Sequence, residues 1–439
     1  MHSHIASRRL TAAAGAAFLV AVAAACAAHV ESGPARADQP APTHMMAYEF
    51  FGVNGKPKGY PKVAIADAAK WLSWAESDTT DSIALHAAGI KVNFYMLPNR
   101  IASEDRHFYS EDESLYAHDC SGQRIRVVKK TITNLRYLTD PTSPLLLQRY
   151  KAYVDEVMRD GKFDAIYEDT TASLGSLSAM PCNLDPDKWQ ADHARMTASL
   201  GVPVLINGLG DGDLPHEGKG LHATFSMSRT VAGVVKAAPN VIGGSFEGCY
   251  VTDDRLITQN DDYVTWGTYW QQTENTELLM ARLGKIFICN EKTHEAPTFE
   301  DSVAARTYAE ASVLLSYGLT STMVRQNFVA PSKFDVGPEL EIVAMAPTSP
   351  APETVDGLRT STGAYGREYA SCYIAGKAVG PCAAAVNSDR DVAHRFPFAG
   401  YAHTLVLTGS GILDGGSISA DGPAPPRDIE PMTAVVAFH

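Results

Sequence analysis

Phe163-Asp164-Ala165-Ile166-Tyr167-Glu168-Asp169-Thr170-Thr171 reads as one short β-strand that ends in two carboxylates. Side chains of a strand alternate between its two faces. Ala165, Tyr167 and Asp169 therefore share one face, and Asp164 and Glu168 the other. A residue as small as Ala165 suits a crowded interior, which makes Asp169 the inward carboxylate. Glu168 then points toward a helix layer or a loop. A helical pattern precedes this strand at 144–159, and another follows at 188–200, before the apolar strand of 203–208. Strands that alternate with helices pair in parallel, through βαβ units.

Working outward, further strands are expected at 46–51, 91–97, 241–247, 285–290 and 319–324, with a weaker eighth at 135–139. Helices are expected at 265–283 and 299–317. Several of the strands are continuous apolar runs, as expected where both faces are covered. About eight such units in 46–330 suit a (β/α)₈ barrel. An open doubly wound sheet fits less well, because no glycine-rich nucleotide loop follows the first strand. Beyond residue 324 the helical period disappears. Short strands at 341–345, 369–374, 383–387, 403–407 and 434–438, separated by glycine and proline turns, predict a small antiparallel β-sandwich over 331–439.

The chain has 439 residues, and its first 37 read as a signal peptide. A short basic segment leads into an uncharged apolar stretch at 10–28 and an Ala35-Arg36-Ala37 cleavage site. Residues 38–45 read as a tether. The expected location is secreted or periplasmic, without stable membrane insertion; a lipoprotein anchor at Cys26 is the minor alternative. Cleavage after Ala37 removes Arg8, Arg9, Arg36 and Glu31, moving the formal net charge from −13 to −15. So acidic a chain repels phosphate backbones, which excludes nucleic acid as a natural partner and favours a neutral or amino-containing glycan over an anionic one. Six of the seven cysteines remain after cleavage, an even number that suggests disulfides in an exported protein. Cys249 with Cys289, Cys120 with Cys182, and Cys372 with Cys382 are the expected pairs.

In a (β/α) barrel the reacting groups stand at the carboxyl ends of the strands. Asp169 ends one strand, Asn207 the next, and Glu247 ends Val241-Ile242-Gly243-Gly244-Ser245-Phe246-Glu247 in an apolar setting. Hydrolysis of a glycosidic bond needs two carboxyl groups facing it. Asp169 and Glu247 supply them, and Asn207 is suited to hold a sugar hydroxyl. Tyr95, Glu49, Tyr250, Asn290 and Glu168 also lie at strand ends and are expected to contact substrate. Trp71, Trp74, Tyr263, Trp266, Tyr269 and Trp270 are further aromatic candidates for sugar faces, although the i, i+4 spacing of Trp266 and Trp270 favours a helix core. His118 reads as a surface loop residue. No H-E-x-x-H or C-x-x-C pattern suggests a metal, no cofactor is expected, and no G-x-S-x-G elbow suggests an esterase.

At this point the chain resembles a known group. Phe163–Thr170 is similar to the F-D-x-[IV]-[FY]-x-D-[DNST] strand of glycosidase barrels related to the endo-α-1,4-polygalactosaminidase and spherulin-like groups. Asn207-Gly208 resembles their N-[GP] element, and Phe246-Glu247 with Tyr250 their later strand-end glutamate. Residues 137–144 resemble their L-D-P-T-N-P segment. Arg367-Glu368-Tyr369 and Val386-Asn387 resemble the hairpin of their attached β-domain. The resemblance implies a glycosidase in which Asp169 is nucleophile or base and Glu247 is general acid. Glu168 departs from the pattern, standing where an apolar residue is usual, and so does Thr139.

Two other classes remain open from the sequence. One is a non-catalytic glycan-binding or surface protein on the same barrel. The other is a barrel enzyme of another class, such as a deacetylase or lyase; a deacetylase would need a metal-ligand cluster that the sequence does not offer. The oligomeric state is not legible.

Overall fold

The computed structural model describes residues 45, 47–51, 65–77, 82–128, 134–169, 171, 174, 177–209, 234–247, 249–250, 266–291, 299–317, 323–327 and 335–439. The expected signal peptide, nearly all of the tether and the expected boundary at 330/331 lie outside them.

Eight strands close into a barrel: β1 (Ala47–Phe51), β2 (Leu72–Ser77), β3 (Lys91–Met96), β4 (Ala165–Glu168), β5 (Val204–Asn207), β6 (Val241–Glu247), β7 (Ile286–Glu291) and β8 (Met323–Asn327). Each pairs in parallel with its neighbours in chain order, and β8 returns to β1. The helices between them are α1 (Ile65–Ala68), α2 (Ser82–Ala87), α3 (Pro144–Met158), α4 (Pro186–Ser199), α5 (Trp266–Arg282) and α6 (Phe299–Ser316). Local chemistry sets their starts. Ser143 and Asp185 accept hydrogen bonds from first-turn amides, each just before a proline that has no amide proton to satisfy.

One barrel strand was misplaced by sequence. Residues 136–138 pair antiparallel with Arg100–Ala102 in a two-stranded ladder outside the barrel, and the eighth strand is β2. The pairing of β1 with β2 shifts register between Ala47 and Tyr48, so that Ser73 is the extra residue of a bulge. A bulge breaks the two-residue alternation by which strands are read from sequence.

The barrel interior is lined by Trp74, Ala165, Tyr167, Leu205 and Ile288, with Tyr95 and Ile286 against them. The opposite strand faces pack on the helices. In β6 a Cβ at Gly243 would strike the Ile286 carbonyl, and one at Gly244 would stand 2.5 Å from the Ile206 carbonyl. The paired glycines let β6 fit between β5 and β7.

The C-terminal sheet has the order β9 (Ile342–Pro347), β10 (Tyr365–Ile374), β11 (Lys377–Asn387), β13 (Thr433–Phe438) and β12 (His403–Thr404), all antiparallel. Two short ladders accompany it, 394–395 with 428–429 and 406–408 with 417–419. One face adds Val343, Tyr369, Val386 and Phe438 to the core beneath α6, and the other packs Ala385, Val435 and Ala437 against Ile429. Buried polar bonds join sheet and barrel. Arg306 of α6 donates to Glu339 through Nε at 2.8 Å and again through a second nitrogen, with both side chains buried. Arg367 donates to the carbonyls of Leu315 and Tyr317 at 2.9 and 3.0 Å, placing a cation on the negative end of α6. The three expected disulfides are present: Cys120–Cys182, Cys249–Cys289 and Cys372–Cys382.

Candidate active site

Asp169 follows β4 at the carboxyl end of the barrel and is partly exposed. Both of its oxygens are held from adjacent strands. Asn207 Nδ2 of β5 donates to Oδ1 at 2.7 Å, and the Tyr95 hydroxyl of β3 donates to Oδ2. Burial, then the Asp169 carboxylate and more weakly Glu76, push the Tyr95 phenol far above its ordinary range, so it remains a proton donor.

The Asn207 amide is itself fixed. Its Oδ1 accepts from the Gly208 amide and from Ser245 Oγ, both at 2.8 Å. Ser245 spends its one proton there, so the Tyr167 hydroxyl, 2.6 Å away, is the donor to Ser245. The chain Tyr167 to Ser245 to Asn207 to Asp169 thus has a single proton arrangement. It sets the amide nitrogen, not the oxygen, toward Asp169. Tyr95 also stacks on Tyr167, with centroids 6.2 Å apart.

Glu247 ends β6, opposite Asn290 of β7 in register. Its side chain lies outside the described residues, as do those of Glu49, Trp266 and Tyr269 and the whole of Tyr263. Glu49 is in register with Ala75, whose side chain joins the helix-side core. Asn290 shares the inward face of Ile286 and Ile288, and its buried Oδ1 has no partner among the described residues. Lower in the barrel, fully buried Asn93 has no partner for either amide atom among the described residues.

Two expected contacts are corrected. Glu168 is fully buried behind β4, where Tyr150 of α3 and Thr197 of α4 donate to it at 3.0 and 2.7 Å. Burial pushes its carboxyl up to about 7, with the two hydroxyls pulling the other way. It is a group of the helix layer and does not face substrate, as strand alternation required. Tyr250 is likewise buried, its hydroxyl donating to Glu277 of α5 at 2.5 Å. After β6 ends, alternation no longer predicts which way a side chain turns.

Among the aromatic candidates, Trp74 faces the barrel interior with the Lys91 ammonium 5.4 Å above its ring. Trp270 is core, donating to Ser312 Oγ at 2.8 Å. His118 sits in a surface loop beside Glu113, at 2.8 Å. Ser245, Tyr167 and Glu76 were missed by sequence. Ser245 and Tyr167 share the inward parity of Glu247 and Asp169, a signal available in advance; Glu76 lay in the strand that was not found.

No protein-family model matches the chain, and the search of curated proteins returned no match. Solved structures similar to it include the glycoside hydrolase domain of PelA from Pseudomonas aeruginosa, 11% identical with TM-score 0.39, covering 64% of this chain and 94% of that one. The Aspergillus fumigatus Ega3 complex with galactosamine is 13% identical with TM-score 0.37, covering 67% and 94%. Eubacterium rectale Amy13B is 9% identical with TM-score 0.44, covering 90% and 96%. All three are distant, and the barrel architecture stands on this chain's own strand order.

Proposed function

We propose that this protein is an exported glycoside hydrolase that cleaves a poly- or oligosaccharide. In this reading Glu247 protonates the leaving oxygen, and Asp169 attacks the anomeric carbon or activates water. Asn207 and Tyr95 orient Asp169 and reach toward sugar hydroxyls, with Asn290 facing the same space.

The observation that carries the reading is the two-sided hold on Asp169. A carboxyl group that must present a lone pair to a reacting atom needs a fixed direction, and Tyr95 and Asn207 provide it from the flanking strands. Asp169 and Glu247 stand two strands apart, and Glu247 lies two residues beyond Ser245, the β6 residue level with Asn207; together these separate their backbones by about 12 Å. Side chains that converge from there toward the barrel axis suit the carboxyl spacing of glycosidases, roughly 5–9.5 Å. The resemblance to glycosidase barrels supports the same pair. The three disulfides agree with an oxidising compartment, and no helix among the described residues is long and apolar enough to cross a membrane.

The test is release of reducing ends by residues 38–439 from a broad polysaccharide panel, beside Asp169→Asn and Glu247→Gln. Activity that both substitutions abolish in folded protein supports the reading. Glycan binding that survives both, with no release by the unsubstituted chain, would transfer the protein to the binding class.

A further inference from the structure

Tyr250 stands three residues beyond Glu247, where the chain leaves β6. Its buried hydroxyl donates to Glu277 Oε2 at 2.5 Å and lies beside Glu274, one turn earlier on α5. Both carboxyl groups are buried. Ser316 of α6 donates to Glu274 Oε2 at 2.5 Å, and Arg367 of β10 acts on Glu274 from the C-terminal sheet. The same strand end is anchored twice more. Thr273 Oγ1 donates to the Cys249 carbonyl at 3.1 Å, and Cys249 is bonded to Cys289, the residue before Asn290.

Two carboxyl groups one turn apart inside a helix layer are costly to bury, and apolar residues of similar size would stabilise the layer at least as well. Neither has a part in the proposed chemistry. What they hold in common is Tyr250. Burial keeps Glu274 up at about 8, against the opposing pull of Ser316, Tyr250 and Arg367, and it drives the Tyr250 phenol far above its ordinary range. The hydroxyl therefore remains a donor throughout the neutral range.

We propose that Tyr250 is a positioning residue for Glu247: its hydroxyl, gripped by Glu277 and Glu274, sets where the end of β6 presents the acid. This rests on the glycosidase reading. It gives the C-terminal sheet a part in the reaction as well, because Arg367 and the α6 carbonyls it holds back the grip from behind.

The experiment compares Tyr250→Phe and Thr273→Val with the unsubstituted chain, on the glycan that the panel identifies. Tyr250→Phe keeps the ring and removes only the hydroxyl. Displacement of a reacting group by a fraction of an ångström should lower kcat about tenfold while KM stays within about twofold. Thr273→Val, which frees a second anchor and leaves the carboxylates their donor, should lower kcat about threefold by the same argument. A merely structural Tyr250 would lower the melting temperature and leave kcat alone, and that result overturns the proposal. If Tyr250→Phe does not fold, an unchanged kcat in Thr273→Val overturns it instead. A chain inactive on every glycan defeats the glycosidase reading and this inference together; an active chain whose variants match it defeats the inference alone.

Discussion

The two faces of β4 treat adjacent carboxyl groups in opposite ways. Asp169, on the inner face, is partly exposed and held by donors from the strands on either side. Glu168, on the outer face, is fully buried and held by hydroxyls from the two helices that cover the strand. The inner face presents a group to something that arrives; the outer face closes around one. The contrast shows that a strand-end acid declares nothing by its residue type. The neighbours supplied by the next layer decide its use.

The largest expected effect falls on the inner face. Asp169→Asn should lower the hydrolytic rate by on the order of 10³–10⁴-fold with an unchanged melting temperature, as for other groups central to a reaction. A rate within tenfold of the unsubstituted chain would remove Asp169 from the chemistry and collapse the contrast.

Next is a buried ion pair of the outer layer. Arg306→Met removes the cation that buried Glu339 is bonded to, and removing one half of such a pair costs about 3–5 kcal/mol. Urea unfolding reads this directly. Loss of stability without loss of kcat per folded molecule would confirm that this part of the helix layer serves the fold.

Glu168 should show itself through pH. Its folded value, about 7, lies above the ordinary 4.5, so the folded chain holds the proton more tightly than the unfolded one. Stability is then greatest below 4.5 and falls as pH rises to about 7. Glu168→Gln does not titrate, so its stability relative to the unsubstituted chain should rise across that window by on the order of 3 kcal/mol. Parallel stability curves from pH 4 to 8 would show that the carboxyl is not perturbed.

The smallest of these four effects is expected at Tyr95. Tyr95→Phe removes one of the two donors to Asp169 and should lower kcat about tenfold, the low end of what one hydrogen bond to a charged group contributes. Steady-state kinetics with the same substrate would separate this from a change in KM.

Much of this arrangement was legible from residue pattern. Val204-Leu205-Ile206 and Ile286-Phe287-Ile288 are apolar runs that only a doubly covered strand explains, and both became barrel strands. The four longest helices were found to within two residues at each end, because proline and a capping side chain mark two of the starts. β2 was missed because Leu72-Ser73-Trp74-Ala75-Glu76-Ser77 has no β-branched residue and carries a bulge. At the site, parity placed Asp169 on the inward face, where it meets Asn207, read from sequence as the end of the next strand. Parity also turned Glu168 outward, and its expected contact with substrate ran against that. The hydrogen bond between Tyr95 and Asp169 joins residues 74 positions apart. Only the closure of the barrel brings them together, and no local pattern encodes it.

The three disulfides have a further consequence. Two close within the barrel part of the chain and one within the C-terminal sheet, and none joins the two. Beyond the continuous main chain, the union of the parts rests on packing and on reversible polar bonds such as Arg306 with Glu339. Reduction would therefore loosen each part internally without cutting any covalent tie between them.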